Sequence, residues 1–126
     1  MNGALWTAQI LLALFFLAAG YWHGVLPFDQ AVKSARWIAD LPPAFVHFTT
    51  FAEFAGGLGV VLPAALRIAP RVTPLAAIGL VLLMLSATAF HLSRGEPRSV
   101  PMLLTVAAIA AFVAWGRLRK VPIAPR

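Results

Sequence analysis

Four long apolar runs separated by short polar breaks organise the chain, at about residues 4–22, 44–62, 74–92 and 101–115. The second can be followed as far as Leu66. Each run approaches the roughly 20 residues that a helix needs to cross about 30 Å of hydrocarbon. They are too long for strands and lack the polar–apolar alternation of a barrel, so the pattern predicts helices. The expected fold is a single all-α domain over residues 1–126, an integral membrane four-helix bundle.

The breaks add detail. Asp40 precedes Leu41-Pro42-Pro43, Thr73 precedes Pro74, and Ser99 stands shortly before Pro101. These are the residue types that cap a helix start, where proline is also tolerated. Pro63, late in the second run, is expected to kink or end its helix. The connections around residues 67–71 and 93–100 are short, which predicts antiparallel neighbours. The stretch from His23 to Leu41 is longer. There Asp29 is placed to cap a short helix with Ala31, Val32, Ala35, Ile38 and Ala39 on one face. Lys33, Ser34 and Arg36 fall on the other face and Trp37 flanks them, the pattern of a short interfacial helix between the first and second spans.

Composition agrees with lipid as the solvent. The chain is 61% apolar and 11% charged, and its mean hydropathy is +0.87. Soluble domains carry about 25% charged residues. The net charge of +6 would suggest nucleic acid in a soluble protein. Here the basic residues lie between apolar runs, where they meet anionic headgroups, and no nucleic-acid partner is expected. The absence of cysteine excludes disulfides and thiolate metal sites. Met1-Asn2-Gly3 offers no positive region of a secretory signal, so the first run is read as a span. One side of the membrane collects six basic residues, Arg67, Arg71, Arg117, Arg119, Lys120 and Arg126, and the other collects four. That bias predicts both termini in the cytoplasm. Trp6, Trp22, Trp37 and Trp115 fall near the expected interfaces, as anchoring indoles do.

Few groups carry chemistry. Glu53 lies nine residues past Ala44, roughly 13 Å into its helix. A carboxylate at that depth must be protonated, paired or wetted by a cavity. Thr49, Thr50, Gly56, Gly57 and Val60 share its face, and Ser86, Thr88 and Thr105 stand at depths that suit a partner. Glu53 is therefore either a ligand-binding or proton-handling carboxyl, or a neutral acid that joins two helices. His23, His47 and His91 are expected at one membrane face, followed there by Arg94 and Glu96. Six residues separate His47 from Glu53, which places them on different helix faces. Gly56-Gly57-Leu58-Gly59 lies inside an apolar run and reads as packing, as do the small pairs Ala52–Gly56 and Ala55–Gly59. A homo-oligomer is compatible with these small faces. No phosphate loop, metalloprotease motif or nucleophile elbow is present.

The order of several stretches resembles the DoxX-like family of small four-helix bacterial membrane proteins. They are Ala18-Ala19-Gly20, then Glu53 with Gly56-Gly57-Leu58-Gly59 and Leu62-Pro63, then residues 68–77. Phe90-His91 with Arg94-Gly95-Glu96, and finally Trp115-Gly116-Arg117, complete the series. Many relatives carry a lysine just after the glycine of the first helix, where this chain reads Tyr21-Trp22-His23-Gly24. The resemblance implies a four-helix fold in a bacterial inner membrane. The family takes its name from a small subunit of a quinone-linked oxidase or thiosulfate:quinone oxidoreductase, and other relatives resemble accessory or assembly factors. It directs attention to Glu53, His91, Arg94 and Glu96. The resulting expectation is an accessory protein, not catalytic by itself. It binds a lipid-soluble ligand (quinone-like or lipid) or a partner membrane protein, with Glu53, His91, Arg94, Glu96, His23 and His47 as candidate ligand-binding residues and no metal. The alternatives are a subunit of a quinone-linked oxidoreductase, relying on a bound cofactor or redox partner, and a membrane-protein assembly factor.

Overall fold

Four helical spans cover Asn2–Val25, Pro43–Leu66, Val72–Ser93 and Pro97–Lys120. The computed structural model describes residues 1–34 and 36–125, apart from the side chains of Phe28, Ala31, Ser34 and Arg36. Its helices are α1 (Asn2–Gly20), α2 (Phe28–Ser34), α3 (Pro43–Gly59), α4 (Leu62–Leu66), α5 (Val72–Ser93) and α6 (Val100–Trp115). No strand occurs among the described residues. α1 packs on α3 and α6, and α5 packs on the same two helices, so the spans close an up-and-down ring. Phe16, Leu12, Val60, Leu80, Ala110 and Val113 fill its centre. Leu14, Phe48, Phe51, Leu75 and Leu82 point outward and are exposed. So large an apolar surface is compatible with hydrocarbon, not with water.

Two spans end in π-helical turns, Tyr21–Val25 after α1 and Gly116–Lys120 after α6. The Leu26 N–H donates to the Tyr21 carbonyl at 3.1 Å, and the Val121 N–H donates to that of Gly116 at 2.7 Å. Both turns stop two residues before a proline, Pro27 or Pro122. A residue before proline is pushed out of the helical region, and Leu26 is extended accordingly, with ψ 153°. The wider turn rotates the side chains that follow it relative to an α-helix.

Pro63 acts as expected. α3 ends at Gly59, the chain breaks at Val60–Val61, and α4 restarts at Leu62. The capping expectation is not met, because none of the three helix starts makes a side-chain cap bond. Asp40 is held by Arg94 instead. Thr73 lies inside α5, buried, and Ser99 occupies the cap position without using its hydroxyl.

The long connection is also more broken than one amphipathic helix. α2 gives way to a 3₁₀ segment, Arg36–Asp40. Ile38 is buried against Val46, with Val32, Trp37 and Leu41 around them. Ala39 is exposed rather than inward. The tighter 3₁₀ turn advances about 120° per residue, so the spacing that puts Ala39 beside Ala35 on an α-helix no longer holds. Ala35 itself lies outside the described residues.

Candidate functional site

The loop end of the ring holds a partly open cavity of about 560 Å³. Phe15, Phe16, Phe45, Phe90 and Trp37 supply its aromatic walls. Glu53, from the middle of α3, stands on the wall and is only 3% exposed. His23 Nδ1 lies 2.9 Å from Glu53 Oε1. This pairing depends on the π turn, which carries His23 at the end of the first span. Two glycines let that end approach α3. The Phe54 ring stands 3.0 Å from where a Cβ of Gly20 would lie, and a Cβ on Gly24 would overlap the Thr50 side chain. The second carboxyl oxygen, Glu53 Oε2, is buried and has no hydrogen-bond partner among the described residues.

Trp37 stands between the two cavity histidines, its ring 5.0 Å from that of His23 and 6.4 Å from that of His91. His91 Nδ1 is 3.1 Å from Glu96 Oε1, and Arg94 Nε donates to the same oxygen at 2.9 Å. Arg94 Nη1 donates to Asp40, which ties the 3₁₀ segment to the end of α5. The guanidinium also lies 5.5 Å from the Phe90 ring centre. The His91 hydrogen bond, then that from Arg94, holds the Glu96 carboxyl below the usual carboxylate range. Hydrogen bonds to Asp40 and Glu96 raise the Arg94 guanidinium above its ordinary value.

Five of the six candidate residues thus gather in one region. Glu53, His23, His91 and Glu96 line the cavity, and Arg94 is bonded to Glu96. His47 stands exposed on α3 and is not part of the wall. The partner of Glu53 is His23, not the hydroxyls anticipated by depth. Thr88 and Thr105 donate to the carbonyls of Met84 and Pro101 in their own helices, at 2.8 and 2.7 Å. Such bonds to the preceding turn are common for hydroxyls in apolar surroundings. Ser86 lines the cavity without reaching the carboxyl. Among the described residues, no group of three or more His, Cys, Asp or Glu side chains is arranged to hold a metal.

A second polar cluster occupies the opposite end of the ring. Arg117 is 3% exposed, although its place among C-terminal basic residues suggested contact with headgroups. Its Nε donates to Gln9 at 2.7 Å, and its Nη1 donates to Asn2 at 2.8 Å and to the Val121 carbonyl at 2.9 Å. Gln9 donates in turn to the Val60 carbonyl at the break in the second span, at 2.6 Å. Trp6 stacks on the guanidinium, 5.4 Å away. The sequence signal was Gln9 itself, a polar side chain inside an apolar run, which in lipid must find a partner.

The sequence profile of the DoxX-like family matches residues 7–113. The chain belongs to the DoxX-like family. The match runs through all four spans and includes every residue that surrounds the cavity. In this DoxX-like protein the Arg117 clamp lies just past the matched segment, while Gln9 falls within it. No curated protein and no solved structure gives a match.

Proposed function

We propose that this DoxX-like protein is an accessory protein of the bacterial inner membrane that holds a lipid-soluble, ring-bearing ligand of quinone-like character in the aromatic cavity. The carrying observation is Glu53, paired with His23 on the wall of a cavity of about 560 Å³. Small-ligand sites fall in the range of about 300–1,000 Å³, with apolar walls and a few convergent polar groups. The Phe and Trp side chains would pack on a ring, Glu53 would bond its polar substituent, and His91 with Glu96 would meet a second polar group at the loop end. The basic bias of the terminal side supports both termini in the cytoplasm.

Native mass spectrometry of the protein in very mild detergent tests this reading. The wild type should carry one discrete adduct of quinone-like mass. Glu53→Gln should retain the melting temperature and lose about tenfold or more in adduct occupancy, because a buried hydrogen bond to the carboxyl group is removed. A bare wild-type chain, or an adduct held equally by the variant, would overturn it.

A further inference from the structure

Glycine inside a helix costs stability relative to alanine, so each one within an apolar span needs a reason. On α3 the reasons lie within the chain. A Cβ on Gly56 would overlap Leu80, and one on Gly59 would stand 2.8 Å from the Ala76 Cβ. Gly79, inside α5, has no such reason. Among the described residues, no atom lies within 4 Å of where its Cβ would be. The space it leaves belongs to a groove of about 360 Å³ between α3 and α5, lined only by Ala, Gly, Val and Leu. We infer that this groove holds one hydrocarbon chain, the tail of the ligand whose ring sits in the aromatic cavity. The inference rests on the cavity reading above.

Leu83 lines both the groove and the cavity, so the two spaces meet there. Phe45 of α3 and Ser86 of α5 line the cavity and are exposed, so it opens on the same seam between these helices. Glu53, 3% exposed and with Oε2 unpartnered, marks the polar end of this continuous space. The groove is its apolar end. That order, polar then aromatic then aliphatic, matches a molecule with a ring and a tail. The width selects the occupant. Val72 to Leu83 covers about 16 Å of α5, so the groove averages roughly 5 Å across. A helix with its side chains is about 10–12 Å across and cannot enter it. Transfer out of water gives the groove no advantage, because the bilayer is as apolar as its walls. The advantage comes from packing on fixed walls, and from the tether, which delivers the chain to the groove once the ring is bound.

Menadione and its decyl derivative, at equal mole fraction, compete for the full chain in lipid nanodiscs, and native mass spectrometry reads the ratio of the two adducts. The wild type should favour the decyl compound at least about fivefold. Gly79→Leu fills the groove and meets no other part of the chain. It should melt at or above the wild type and bring the ratio to within about twofold. Gly79→Ala gains the helix propensity but adds one methyl, and should keep most of the preference, which separates lost room from a stiffer helix. Equal adducts on the wild type overturn the groove assignment and leave the cavity reading standing. So does a preference that survives Gly79→Leu, or one that Gly79→Ala abolishes as fully. A dimer that Gly79→Leu disperses, with no chain preference, gives the groove to a second copy and overturns the assignment as well. Binding of neither compound removes the cavity reading along with the inference.

Discussion

Glu53, Glu96 and Asp40 all lie at the same end of the molecule, yet their settings differ. Glu53 is buried and shares a hydrogen with His23, leaving one oxygen to the cavity. Asp40 and Glu96 are bridged by one guanidinium, that of Arg94. The lowered Glu96 value has a direct consequence. A carboxyl whose folded value lies below its unfolded one adds stability above the unfolded value, and that stability is lost as pH falls through the folded value. Glu96→Gln should therefore melt below the wild type at neutral pH. The gap should close as pH drops through and below the ordinary glutamate range. Melting curves of both proteins across that range check it, and a gap that persists at the acid end would show that the Glu96 bonds carry no proton-linked stability.

Among the helical elements, the two π turns do most to shape the polar interior. One carries His23 at the loop end, and the other carries Arg117 at the terminal end. The second turn joins the last span to α1 through Gln9 and Asn2, and Gln9 extends the chain of bonds to the carbonyl at the break after α3. A Cβ on Gly116 would overlap Leu5, so this close approach also needs glycine. Arg117→Leu strands the buried Gln9 carbonyl in an apolar setting. It should cost about 1–3 kcal/mol for that acceptor, left buried and unpaired. Arg119→Ala, at an exposed position of the same turn, should change stability by no more than about 0.5 kcal/mol. Thermal unfolding in detergent measures both, and equal curves for the two variants would dismiss the clamp.

At the scale of the whole molecule, the ring keeps its two polar centres at opposite ends with an apolar core between them. The cavity end bears Lys33, Arg94 and Arg98, and the terminal end bears Arg67, Arg71, Arg119 and Lys120. The stronger basic bias of the terminal end predicts that the cavity end faces away from the cytoplasm. Because the chain has no cysteine, single introduced cysteines report sidedness cleanly. In intact bacterial cells with a permeabilised outer membrane, an impermeant maleimide should label Arg98→Cys and spare Ala124→Cys. The reverse pattern would invert the orientation.

How much of this was legible from the chain depends on the range of the interaction. Span number, span position and the break at Pro63 follow from local hydropathy and backbone covalency, which the sequence carries residue by residue. Glu53 could be picked out for a similar reason, since an ionisable group within an apolar run is costly wherever its helix packs. Its partner could not. A regular α-helix through residues 21–25 would have left His23 at an interface, and only the π turn, ended by Pro27 and admitted by Gly20 and Gly24, brings it onto the carboxyl. Trp37 between two histidines, Asp40 on Arg94 rather than on its own helix start, and Arg117 withdrawn from the headgroups are pairings across distant segments. The sequence by itself determined a four-span helical membrane protein with a costly acid in the second span. The tertiary structure alone decided which groups satisfy that acid, because the partners are chosen by how helices pack, and hydropathy does not encode that choice.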